Sequence, residues 1–348
     1  MNSSSLINNG KKKKMFFTIV KNRKVIISWV TIALITLLAS FLTLFVSVRN
    51  RQGNILDTIS LFYTNWKIVL QLFITGFSLG ISAYYVQQIT NNRLIDTSTI
   101  GIGNVCLIGL LLLAFSLNFE VPENATLFNK LLPFIFIISS AVAAIFLYYF
   151  AKTKTNFNHT KLIVAGLFIN FIAIALAISL RNKLSLTTVN TLDRQLVGSF
   201  DTKSDVEWAV GASFFSVSIL WLLIRSPKIR IVITDKYVAE QLGLPVRSIN
   251  FELIMISGIL TGVAYILAGN ILFLGIASAN IAYSLFGKKN NQSMIYSGLV
   301  NTVFLLFGQF ILQNIVFNRT DLLFETPMVT PLLVAPFFII VITLKKKI

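Results

Sequence analysis

The sequence predicts an all-α polytopic membrane protein, a single bundle of about ten transmembrane helices. Of its 348 residues, 55% are hydrophobic and only 12% charged, and the mean hydropathy is +0.78. An ordinary soluble domain carries roughly twice that share of charge. The apolar residues also run in blocks of 16 to 25 instead of recurring as helical stripes. About 20 apolar residues cross the ~30 Å hydrocarbon core of a bilayer. A single cysteine, Cys106, and a single histidine, His159, exclude a disulfide framework. They also leave too few soft ligands for a zinc, copper or haem centre.

Residues 1–24 form a basic tail with Lys11 to Lys14, Lys21, Arg23 and Lys24 and no acid. The first apolar run, 25–48, is too long for a signal-peptide core and no small-residue cleavage site follows it, so it is expected to be an uncleaved first span. Further spans are expected at 68–89, 98–117, 131–151, 162–180, 206–224, 246–268, 271–286, 294–317 and 328–344. Residues 25–348 then make one transmembrane domain behind the tail. The eighth span is the shortest, and only Gly269-Asn270 separates it from the seventh.

Ten spans put both termini on one side. With the residues at span ends assigned to their loops, the tail side carries 21 Lys/Arg against 4 Asp/Glu, and the opposite side 9 against 9. The positive-inside rule places both termini in the cytoplasm. The net charge of +17 is therefore a topology signal and requires no nucleic acid.

Between spans six and seven lies TDKYVAEQLGLP, residues 234–245. Thr234 is expected to cap a short cytoplasmic helix over about 234–243, with Asp235 favourable at its positive end and Gly243 and Pro245 stopping it. Tyr237, Val238 and Leu242 share one side, and Lys236 and Glu240 point elsewhere. Such a helix either lies in the membrane interface or offers a docking surface to a cytoplasmic partner.

Every Asp, Glu, Lys and Arg can be assigned to a loop or a helix end, and Glu252 is the acid farthest into a span. A carboxylate at the bilayer midplane, common in ion-coupled transporters, is thus not expected. No GxxxxGK[ST] phosphate cradle and no paired-carboxylate, nucleophile–base or metal constellation emerges, which argues against a self-powered pump and against an enzyme. The small-residue pairs Gly76/Gly80 and Gly258/Gly262 are expected to allow close helix approach. Asn104, Asn170, Asn280, Asn301, Gln309 and Gln313 are uncharged polar groups inside spans, suited to interhelical hydrogen bonds or to lining a pathway. The pattern is that of a passive conduit whose energy comes from elsewhere.

Four blocks of residues resemble the FecCD/BtuC-like integral-membrane permeases of ABC importers for ferric siderophores, haem and cobalamin. Thr90-Asn91-Asn92-Arg93-Leu94-Ile95-Asp96, with Gly101 beyond, is similar to the family's T-R-N-P-L-A-D-P…L-G-V. Gly198 and Ser199, followed by Trp208, resemble its G-S-L…W. Asp235, Ala239, Leu242 and Gly243 match the coupling-helix pattern L-G-[ED]-x-x-A-x-x-L-G. Gly269, Phe273 and Gly275 resemble G-x-I-x-F-x-G-L, and Glu325-Thr326-Pro327 with Ala335-Pro336-Phe337-Phe338 resembles E-L-P…G-A-P-F-F. The sequence departs at Ala279-Asn280, where the family has P-H, at Arg93 and Thr97, where it has prolines, and at Thr234, where it has glycine.

The resemblance implies a non-enzymatic importer subunit of the bacterial cell membrane, without a cofactor, that carries an iron chelate. Its partners would be a second permease, identical or paralogous, two cytoplasmic ABC ATPase subunits contacting Thr234 to Gly243, and an extracellular substrate-binding lipoprotein. Arg49, Arg51 and Arg319 are candidates for docking that lipoprotein, or are interfacial arginines snorkelling from helix ends. Haem or cobalamin is an alternative cargo, and an ion-coupled secondary transporter an alternative class.

Overall fold

The computed structural model describes residues 25–45, 58–117, 122–153, 157–185, 188–189, 192, 203–271, 273–287, 291–312 and 335–336. The basic tail 1–24, Arg49, Arg51, Gly198, Ser199, Gln313, Arg319 and Pro327 lie outside the described residues, as does the expected tenth span apart from Ala335 and Pro336. The described chain is α-helical: α1 (Val25–Phe45), α2 (Thr58–Thr90), α3 (Ile102–Ser116), α4 (Pro122–Ala151), α5 (His159–Arg181), α6 (Asp205–Thr234), α7 (Lys236–Gln241), α8 (Val246–Ala268), α9 (Leu274–Phe286) and α10 (Asn291–Ile311). Among the described residues, seven of these helices are long and apolar enough to cross a membrane, and α3 and α9 are shorter apolar helices.

The bundle is organised around α2 and α8. Their apolar stretches are 72% and 78% buried, against 17% for α1 and 28% for α5 and α6, whose side chains mostly face outward. An outward face rich in Leu, Ile and Phe suits a hydrocarbon solvent, where it needs no protein cover.

Small residues set the closest approaches. A Cβ at Gly80 would lie 2.6 Å from the carbonyl oxygen of Ser297, and one at Gly76 would lie 2.6 Å from the Thr302 backbone, so α2 and α10 touch main chain to main chain. A Cβ at Gly258 would lie 2.9 Å from the Ser140 carbonyl oxygen, which seats α8 against α4. Both GxxxG pairs are packing devices within the bundle, as the sequence predicts.

Two expected spans start later than their apolar runs. Span three is expected from Ser98, but α3 begins at Ile102. Span eight is expected from Ile271, but α9 begins at Leu274. At 15 and 13 residues, these helices rise about 22 and 20 Å. Each follows a non-helical lead-in that ends at a residue with left-handed backbone, Gly101 (φ 84°) and Phe273 (φ 62°). The lead-ins are enclosed by protein: Ile95, Asp96, Thr97, Ser98, Gly269 and Ile271 are all buried. Irregular backbone inside a membrane bundle is tolerated only under such cover.

Three helices overrun the expected spans instead: α2 begins at Thr58, ten residues before its expected start. α4 begins at Pro122 and carries Pro133 inside it, and α6 continues past Ile224 through Pro227 to Thr234.

Candidate functional site: the α6–α7–α8 hairpin

α6 starts with a reciprocal cap, in which Ser204 Oγ accepts from the Glu207 N–H at 3.3 Å and Glu207 Oε2 accepts from the Ser204 N–H at 2.8 Å. It ends at Thr234, and one extended residue, Asp235 (φ −152°, ψ 113°), separates it from α7. Here the structure corrects the sequence reading, because Asp235 is the cap and not Thr234. Asp235 Oδ1 accepts from the N–H groups of Tyr237 (2.9 Å) and Val238 (3.3 Å). The Thr234 hydroxyl is turned back into α6, where it donates to the Arg230 carbonyl at 2.7 Å. A carboxylate at this position satisfies orphan donors and also meets the positive end of the helix.

The far end of α7 is closed with equal care. Gly243 has φ 72°, its N–H donates to the Glu240 carbonyl at 3.0 Å, and the Leu244 N–H reaches the Ala239 carbonyl at 3.0 Å. This pair of bonds is the Schellman closure, which needs a left-handed residue and so favours glycine. Pro245 then precedes the first turn of α8. A six-residue helix is too short to persist on its own. These caps, together with burial of Ala239, hold it.

Ala239 is fully buried and belongs to one apolar cluster with Ile229 and Val232 of α6, Val246 and Ile249 of α8, Ile89 of α2 and Leu147 of α4. The opposite side of α7 is open. Tyr237 is 77% exposed, Leu242 62% and Val238 44%, with the Lys236–Glu240 ion pair (3.8 Å) beside them. The result is an outward apolar face on a helix rigidly seated at its back. An Arg225–Glu252 pair at 2.9 Å ties α6 to α8 about two turns from α7. The sequence singles out Glu252 but not its partner Arg225, since their 27-residue separation gives no local signal. A cleft of about 370 Å3 opens beside α7, lined among others by Gln88, Asn91, His159, Asp235, Lys236 and Asn250. His159 is exposed there as the first residue of α5.

Two of the sequence blocks meet in the bundle interior. Asp96 lies at the turn into α3, where its Oδ1 accepts from the Thr99 N–H at 2.9 Å and its own N–H donates to Thr99 Oγ1 at 2.9 Å. A Cβ at Gly275 would lie 2.5 Å from Ala83 and 3.7 Å from Asp96. The lead-in of α3 therefore packs on the first turn of α9, and Gly275 has no room for a side chain. Asn280, which stands where the family pattern has histidine, donates to the Arg93 carbonyl at 2.8 Å, and the Arg93 guanidinium lies 5.7 Å from the centre of the Tyr283 ring. Asn92 accepts from the Leu94 N–H at 3.0 Å in the same turn, while the Leu94 side chain is exposed. Gly269 ends α8 at φ 76°, Phe273 is half exposed, and Pro336 is exposed.

Asp96, only 3% exposed, is enclosed by protein more fully than Glu252, which the sequence places farthest into a span and which sits in its ion pair. The reason is that the loop carrying Asp96 folds into the bundle and does not stay outside it.

Several of the polar residues within spans pair between helices. Asn104 Nδ2 donates to Asn170 Oδ1, joining α3 to α5, and Asn170 Nδ2 donates to the Thr99 carbonyl at 3.4 Å. With its amide turned to suit its neighbours, Asn301 donates to the Leu274 carbonyl at 2.9 Å and accepts from the Gly80 N–H at 2.8 Å. Gln71 donates to the Leu267 carbonyl, a bond the sequence did not suggest. Cys106 is buried against the Phe136 carbonyl. Among the described residues no group of three or more His, Cys, Asp or Glu is placed to hold a metal.

A profile of the FecCD transport family matches residues 24–344. The iron-uptake system permease protein FeuC of Bacillus subtilis is 25% identical over 316 residues, covering 88% of this chain and 89% of that protein. The hemin transport system permease protein HmuU of Yersinia pestis is 23% identical over 285 residues, covering 78% and 79%. A solved structure described as an inward-facing conformation of a putative metal-chelate type ABC transporter superposes with a TM-score of 0.75 at 18% identity, covering 91% of this chain and 98% of that one. That likeness establishes a shared fold.

Proposed function

The chain belongs to the FecCD transport family, and from that premise we propose that it is the permease subunit of an ATP-binding-cassette importer that passes an iron chelate of the siderophore type into the cytoplasm. The observation that carries this reading is α7. It is a short helix, capped at both ends by Asp235 and Gly243, buried at Ala239 and open at Tyr237, Val238 and Leu242. A doubly capped helix with a free apolar face is a contact waiting for a partner, and in an importer of this family that partner is the ATPase.

α7 is the coupling segment. It faces the cytoplasm, as do both termini, and a nucleotide-driven ATPase pushes on it. Because Ala239 shares a packed cluster with α2, α4, α6 and α8, displacement of α7 moves the helices around it and does not simply bend a loop. Two such permeases face each other across the pathway. Outside, Arg49, Arg51 and Arg319 meet acidic residues of the substrate-binding lipoprotein. The 25% identity to an iron-uptake permease over nearly the whole chain favours an iron chelate. The hemin relative supports haem as the second cargo.

The test is co-purification in mild detergent with the cognate ATPase, followed by binding-protein-dependent uptake of ferric siderophores, haem and cobalamin side by side. Asp235→Lys combined with Ala239→Trp is expected to abolish ATPase association while membrane insertion persists. Retention of the ATPase by that double variant would remove α7 as the contact. Uptake is expected to fail on ATP depletion and to survive collapse of the ion gradients; the reverse pattern would identify a secondary transporter.

A further inference from the structure

On the outer surface of the bundle, the end of α4 and the start of α5 enclose a groove of about 630 Å3. Phe146 and Phe150 form one wall, one helical turn apart with ring centres separated by 4.6 Å. Val164, Phe168 and Ile172 recur every fourth residue along the other. All five side chains are exposed. The polar lining is confined to one end, at the first turn of α5, where Lys161 stands. From Lys161 to Ile172 the helix rises about 16 Å, roughly the depth of one leaflet of a ~30 Å hydrocarbon core. The groove is thus apolar along a leaflet's length and cationic at its headgroup end.

The charge at that end is uncompensated. Residues 151–161 contain three lysines, one histidine and no acid. Among the described residues no carboxylate pairs with Lys161. The Asn158 side chain already accepts from the Lys161 N–H at 3.0 Å, so the free donor is the ammonium group itself. Lys152 stands nearby at the end of α4, with its Nζ 5.7 Å from the centre of the Tyr149 ring.

We propose that the α4–α5 groove binds one anionic phospholipid from the leaflet on the α7 side, with an acyl chain along Phe150, Val164, Phe168 and Ile172 and its phosphate at Lys161. An apolar slot ending in a cation matches a phosphodiester lipid in both parts, and a single basic residue near the surface favours an anionic over a zwitterionic headgroup by about fivefold. The inference needs only that the chain spans a bilayer, so it can fail while the transport reading stands.

The test places a reporter in the groove. Phe168→Trp is reconstituted with lipids brominated in the acyl chain, and quenching of its added fluorescence over the parent protein is measured. At equal mole fraction, brominated phosphatidylglycerol should quench about fivefold more effectively than brominated phosphatidylcholine, and Lys161→Glu in the same background should bring the two level. Equal quenching by both lipids with Lys161 present would overturn the proposal. So would disulfide formation between two copies carrying Val164→Cys with protection from both lipids, which would make the groove an interface between chains. Native mass spectrometry of the unsubstituted chain gives a second readout. One phosphatidylglycerol should survive detergent exchange, and loss of both lipids alike would contradict the assignment.

Discussion

Replacing Asp235 by alanine removes the acceptor that holds the Tyr237 and Val238 N–H groups at 2.9 and 3.3 Å. Loss of an N-cap costs about 1 kcal/mol, and loss of a carboxylate beside the positive helix end costs about 0.5 kcal/mol more. α7 has six residues, one side chain buried and no length to spare. A total of about 1.5 kcal/mol therefore lowers the ratio of formed to unformed α7 roughly tenfold. If the ATPase binds only the formed helix, its apparent dissociation constant rises by up to about tenfold, in proportion to the lost competent fraction. Asp235→Asn keeps a capping oxygen and should bind within about threefold of the parent. The assay is titration of the ATPase onto the permease in nanodiscs, with thermal unfolding as a control. Parent-like binding by the alanine variant would refute the capping argument. Equal weakening by alanine and asparagine would show that the charge, and not the cap, makes the contact.

Gly80→Leu forces side-chain atoms into a space where even a Cβ lies 2.6 Å from the Ser297 carbonyl oxygen. The expected loss is about 2 kcal/mol or more, read as a lowered Tm in detergent; an unchanged Tm would show that α2 and α10 do not need this contact. A double-mutant cycle on Asn104→Ala and Asn170→Ala should give a coupling of about 0.6 kcal/mol, whereas additive losses would mean that the interhelical bond contributes nothing. Arg51→Glu with Arg319→Glu should weaken capture of the loaded binding protein without affecting ATPase binding, and unchanged capture would return both residues to a purely interfacial role.

Hydropathy made the helical class and most of the long helices legible, because composition alone distinguishes a membrane bundle from a soluble domain. It could not show where an apolar run is helical. Residues 98–101, Ile271 and Phe273 fall within expected spans, yet they are non-helical, since close packing around Gly275 and the left-handed residues Gly101 and Phe273 outweigh local propensity. α6 runs on through Pro227 to Thr234, and the cap falls one residue later than expected, at Asp235. At α7 itself the sequence was informative, because caps are local: an acid before the helix and a glycine after it act within a few residues. The Arg225–Glu252 and Asp96–Gly275 contacts join distant segments, and nothing local announces them.

The central claim is most directly tested by introducing Tyr237→Cys and labelling it with a membrane-impermeant thiol reagent; the native Cys106 is buried and silent. Labelling should occur in inside-out vesicles, be absent from intact cells, and be blocked when the ATPase is bound. Labelling from outside the cell, or labelling indifferent to the ATPase, would contradict the account.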